Sequence, residues 1–240
     1  MGPQNKSDNV SSMGQLINQS WEHTQSEIWN EIKDQDRLYE CRRVLPQQHK
    51  GIDCEALKNN KIRAISLHPL DDVYPLSDWI LGDLFSTLNK IKFITILRLS
   101  KYGVQTYTAV GDKTVDQLGG GSHNESLYWD KIHELAEKYS DIPLIITRML
   151  GDGARYRYMV NQLLSRHKNI YLELSQYHYL DAIEDLVSTH GPEQLLFGTN
   201  LPKQDPGQSI AQLNYADISQ NDKELIAGKN LENLIKQEEI

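Results

Sequence analysis

Two kinds of apolar pattern alternate along the chain. Short runs rich in Ile, Leu and Val occur at 38–46, 62–68, 92–99, 143–149, 169–175 and 194–199. Several are continuous, as expected of parallel strands buried on both faces. Between most of them the apolar residues recur at helical spacing instead. Residues 78–91 carry Ile80, Leu81, Leu84, Phe85, Leu88 and Ile91 on one stripe, with Ser77 placed as N-cap. Further stripes run over 126–139, 155–166 and 179–189, the last stopped by Gly191-Pro192. Ser219 followed by Asp222 resembles a capping box and starts a C-terminal helix. Upstream, Leu16, Ile17, Trp21, Ile28, Trp29 and Ile32 predict an amphipathic helix over 14–33.

The repeated strand–helix order predicts an α/β fold with a parallel sheet. It supplies about six strands, where a full (β/α)₈ barrel has eight. A doubly wound open sheet fits the alternation nearly as well, although no glycine-rich phosphate fingerprint follows any strand. Residues 1–13, rich in Asn, Ser, Gln and Gly, read as a flexible tail, and 14–240 as one domain. Residues 100–125 form a connection long enough to be a lid or a surface excursion, with Gly119-Gly120-Gly121-Ser122 as its hinge.

Composition narrows the function. Lys and Arg total 25 against 33 Asp and Glu, a formal charge of −8. An acidic chain without a basic run is not built to bind nucleic acid. No apolar stretch approaches the roughly 20 residues needed to span a bilayer. The polar N-terminus has no signal-like apolar core, and two cysteines, Cys41 and Cys54, make no disulfide framework. A soluble, reduced, cytoplasmic protein is the expectation.

The last strand region is the most distinctive. Residues 193–207 read Glu-Gln-Leu-Leu-Phe-Gly-Thr-Asn-Leu-Pro-Lys-Gln-Asp-Pro-Gly. This resembles the final barrel strand of the amidohydrolase-related family, whose pattern is roughly E-[RQ]-L-[LI]-F-G-[ST]-D-x-P. His167–Ser175 is similar to the family's seventh strand, and Leu38–Pro46 and Arg63–Pro69 to its third and fourth. The resemblance implies a TIM-type barrel in which the six segments are the third to eighth strands. The first two then have no counterpart, leaving the barrel open or completed by the N-terminal helix or a partner. Both outer strands would present open edges, which invite a homodimer or a partner chain.

The resemblance also implies a metal site built from H-x-H on the first strand, a His after the sixth and an Asp after the eighth. Such ligands bind a divalent ion that turns water into a nucleophile. This sequence has no H-x-H, and it places Arg148 and Asn200 where the family carries His and Asp. Arg is always protonated and repels a cation, and amide Asn cannot act as a base near neutral pH. The expectation is therefore a degenerate site without metal; a divalent ion such as zinc enters only if the chain is a working hydrolase or decarboxylase, with ligands not recognised in this sequence or supplied by a partner chain. Polar residues at the strand C-terminal ends become the candidate site. His68 and Asn200 are the candidate catalytic groups, and Arg148, Arg98, Tyr177 and Lys203 the candidate ligand-binding groups. That rim reads as cationic, which points to a small anionic ligand. Glu173, on a strand, needs a partner if buried, and Arg98 or Arg148 would serve. His49 and His178 read as surface loop residues. A non-enzymatic scaffold using the open edge is the third function class.

Overall fold

All six apolar runs are strands: β1 (Glu40–Arg43), β2 (Ile62–Leu67), β3 (Ile94–Arg98), β4 (Leu144–Thr147), β5 (Ile170–Glu173) and β6 (Leu195–Leu196). They come from a computed structural model that describes residues 27–28, 30–46, 61–69, 71–99, 123–147, 153–202 and 204–237. The expected tail, most of the helix at 14–33, nearly all of the 100–125 connection, His49, Arg148 and Lys203 lie outside the described residues. Every strand pairs in parallel with the next, in the order β1-β2-β3-β4-β5-β6.

Side-chain alternation divides the sheet into two faces. Ile65, Leu67, Leu97, Leu144, Ile146, Ile170, Leu172 and Leu195 point outward and join the larger core beneath the helices. Ala64, Ile94, Ile145 and Leu196 point the other way, into a smaller inner core that Ile96 and Tyr171 extend. Burial on both faces explains why these strands read as unbroken apolar runs.

The helices cover the outer face. Helix α1 (Asp78–Ile91) buries Leu81, Leu84, Phe85 and Leu88, with the bounds the stripe predicts. Ser77 occupies the N-cap position with extended backbone, but its side chain makes no capping bond. Then follow α2 (His123–Lys138), α3 (Gly153–Arg166) and α4 (Ala182–His190). Helix α4 closes on Gly191, whose φ of 82° suits glycine before Pro192. Helix α5 (Gly207–Tyr215) was not legible in the pattern, because it buries only Ser209 and Leu213. Ser219 does cap α6 (Gln220–Glu224), its side chain accepting from the Asp222 N–H. A π-helical turn (Leu225–Lys229) leads into α7 (Asn230–Gln237). Among the described residues no helix is long and apolar enough to cross a membrane.

This C-terminal segment corrects one expectation. The edge of β6 turned away from β5 is not open. The Phe197 N–H donates to the Ile226 carbonyl at 3.0 Å. The buried Asn230 amide donates to the carbonyls of Leu195 (2.9 Å) and Pro192 (2.7 Å). Leu234 and Ile235 of α7 then pack into the inner core. A helical segment of the same chain thus satisfies the backbone that a further strand would pair. Among the described residues β1 pairs only with β2.

Candidate functional site at the strand C-terminal ends

Register aligns a polar row above the inner apolar core. Leu67 pairs with Leu97, which puts His68, one residue on, level with Arg98. Arg98 pairs with Thr147. Ile146 pairs with Leu172, so Thr147 is level with Glu173. Each of the four alternates with outward-facing neighbours, so all lie on the inner face. The row His68, Arg98, Thr147, Glu173 therefore spans four adjacent strands at their C-terminal ends, where α/β barrels carry their chemistry.

At one end of the row the charges are balanced locally. Arg98 is 3% exposed, and its Nη1 lies 3.6 Å from Asp71 Oδ2. The same carboxylate oxygen is 3.5 Å from His68 Nδ1, while His68 Nε2 is 3.1 Å from Ser66 Oγ. Arg43 of β1 pairs with Asp72 through both ends of its guanidinium. The turn after β2 brings the two aspartates here, since the Asp71 and Asp72 N–H groups both donate to the His68 carbonyl. Of the rim read as cationic, Arg98 faces a carboxylate, as does Arg43 beside it.

His68 is neutral in this setting. Burial lowers its pKa to about 4, and Arg43 and Arg98 add to the shift against the opposing pull of Asp71. On β1, the Cys41 thiol retains accessible surface yet is pushed up to about 11, chiefly by the protein packed round it, despite a hydrogen bond to Ser66. It is a thiol near neutral pH, not a thiolate.

At the other end stands Glu173, half-buried. Its Oε2 accepts from the Thr147 hydroxyl at 2.6 Å and the Ser175 hydroxyl at 2.8 Å. Its Oε1 accepts from the Ser175 N–H at 2.8 Å. Among the described residues its partners are these neutral donors and not Arg98, while the other expected partner, Arg148, lies outside the described residues. Gly198 makes this arrangement possible, because a Cβ there would lie 1.7 Å from Glu173 Oε1.

Other candidates are placed elsewhere. Tyr177 is 1% exposed within the outer core, its hydroxyl meeting that of Tyr179 at 3.4 Å. Burial raises its pKa above the ordinary phenol range, and its ring packs edge-on against Tyr179. Asn200 adopts left-handed backbone (φ 53°) and donates to Gln204 Oε1 at 3.1 Å. His178 is held by Gln212 on α5 at 2.6 Å. Of the candidates named from sequence, His68 and Arg98 come together. Ser66, Asp71, Asp72, Thr147 and Ser175 were missed. Their signal was positional: the two aspartates follow the His68-Pro69 strand end, and Thr147 and Ser175 keep the inward phase of their strands.

No protein-family model matches the chain, and no curated protein sequence does. Solved structures do. An uncharacterized TIM-barrel protein from Bordetella bronchiseptica superimposes with a TM-score of 0.63 at 15% identity, covering 90% of this chain and 73% of that one. The fold is a TIM-type barrel. Barrels of known activity are similar too. The 2,6-dihydroxybenzoate decarboxylase from Rhizobium gives a TM-score of 0.61 at 16% identity, over 91% of this chain and 78% of that one. A dihydroxybenzoic acid decarboxylase from Polaromonas, solved with bound manganese and the inhibitor 2-nitroresorcinol, gives 0.63 at 13% identity, over 92% and 76%.

The manganese of that neighbour prompts a test of the residues present here. Among the described residues no group of three His, Cys, Asp or Glu side chains could hold a metal ion. In the row itself a permanently charged guanidinium stands between the imidazole and the Glu173 carboxylate. The described donor set does not fit a divalent ion.

Proposed function

We propose that this barrel binds a small carboxylate-bearing molecule on its inner face at the strand C-terminal ends, without a catalytic metal and with weak or no hydrolase activity. The observation that carries this reading is Arg98, a guanidinium buried on that face at the end of β3. Its Nη1 also lies 3.6 Å from Asp71 Oδ2, so its charge is offset within the protein. A ligand carboxylate can meet a guanidinium in the stronger bidentate geometry. His68, neutral beside it, contributes a polar contact without adding charge. In this reading Arg148 pairs with the anionic group, and Asn200 and Lys203 help orient it.

Two measurements test it. Elemental analysis of protein purified without a metal-affinity step is expected to find metal well below one equivalent. Stoichiometric manganese, zinc or iron would return the chain to metal-dependent chemistry. Titration calorimetry with benzoate and with neutral benzamide is expected to show binding of benzoate alone. Arg98→Gln and Arg148→Ala should each weaken it by about tenfold, the worth of one charge-assisted contact. Equal binding of benzamide would overturn the anion reading.

The second reading is a decarboxylase, favoured by the two dihydroxybenzoate decarboxylases among the structural neighbours. His68 would be its proton-transfer group. With a pKa near 4 it is a weak base, so turnover would be slow. Carbon dioxide release from 2,6-dihydroxybenzoate, abolished by His68→Asn, would establish that reading.

A further inference from the structure

We infer that His133 and His167 form a pH-sensitive latch between α2 and the end of α3, in which a second proton on the pair breaks their bond and sends the His133 ring into the groove beside it. His133 Nδ1 lies 2.7 Å from His167 Nε2, with the ring centroids 4.9 Å apart. Such a bond needs one nitrogen to donate and the other to accept. It survives with no added proton or with one. It fails when both rings are imidazolium, because that form has donors only.

The surroundings decide which ring moves. His167 is 7% exposed, and its backbone carbonyl accepts from the Gln194 amide. The Asn169 amide donates to the carbonyls of Ala136, Tyr139 and Ile142, at and beyond the end of α2. Neither amide titrates, so both backbones stay pinned as the pH falls. His133, by contrast, is half-buried and lines a groove of about 270 Å³ between α2 and α3. Trp129, Tyr158 and Met159 also line it, with Asp130 and Arg166 as its charged groups. Asp130, three residues before His133 on the same helix, attracts the ring once it is charged, and Arg166 opposes it. Burial lowers the pKa of His167, and His133 and Arg166 add to the shift against the pull of Glu137. The latch is therefore closed above the ordinary value of 6.5 and is released as the pH falls below it.

Imidazole NMR of the full chain, from neutral pH to about pH 4.5, tests this. Signals are assigned from His133→Gln and His167→Gln, and circular dichroism establishes that each chain is folded at each pH. In the wild type the two rings are expected to titrate as a coupled pair. Nuclear Overhauser contacts between the rings should be present at neutral pH and lost in acid, while those from His133 to the Met159 methyl group strengthen. His133→Gln removes the neighbouring charge and keeps an acceptor for the imidazolium. His167 should then bind its proton about tenfold more tightly, which raises its midpoint by about one pH unit. His167→Gln should do the same for His133. Independent titration of the two rings, an unchanged His167 midpoint in His133→Gln, or ring contacts that persist once both rings are charged overturns the latch.

Discussion

His68 shows how one residue couples the site to stability. Its folded pKa, about 4, lies below the ordinary 6.5, mainly because burial disfavours the charged ring. Between these values the unfolded chain binds more protons than the folded one. Stability is therefore fully present above about pH 6.5 and is lost as the pH falls toward 4. With allowance for partial solvent screening, the loss from this residue should be about 2 kcal/mol. Urea unfolding at about pH 7, 5.5 and 4.5 should show it, and His68→Gln should flatten that part of the profile. A variant with the same slope as the wild type would show that the acid sensitivity arises elsewhere.

Among the elements, amide side chains hold the chain where regular pairing ends. Asn169 donates to the carbonyls of Ala136, Tyr139 and Ile142, tying the end of α2 to the start of β5. Gln194 donates to His167 and Ile170 carbonyls, and Asn230 to those of Pro192 and Leu195. Asn230→Ala leaves two buried acceptors without this donor, and chemical denaturation should show a loss of about 1–3 kcal/mol. A surface control such as Glu232→Ala, in an exposed pair with Lys236, should cost far less, because solvent screens such a pair. Equal effects from the two would mean that Asn230 does not staple the β6 edge.

For the whole molecule, the C-terminal segment stands in for a neighbouring strand. Ile226 and Leu234 are almost completely buried, and Ile226 also supplies the carbonyl that meets β6. Truncation before Leu225 exposes that strand edge and one side of the inner core. Exposed edges template association. The truncated chain is expected to aggregate or to lose its cooperative unfolding transition, as seen by light scattering and thermal unfolding. A monomeric, cooperatively folding truncation would show that β6 needs no cover.

The sequence by itself determined the elements. Continuous apolar runs and helical stripes are local patterns, so all six strands and the helix at 78–91 were legible, as was the Ser219 cap. The likeness of residues 193–207 to a barrel's last strand decided between the barrel and the open sheet, and the structural neighbours bear the barrel out. Tertiary structure alone decided which polar side chains meet. Strand register, which depends on pairing between segments far apart in the chain, set His68, Arg98, Thr147 and Glu173 in one row. Only the folded turn after β2 could show that Asp71 and Asp72 offset the arginines. Only packing could bury Tyr177 in the larger core and give Glu173 its hydroxyl partners. The closure of the β6 edge by a helical segment was equally hidden, because a backbone group's partner is not written in its own residue type.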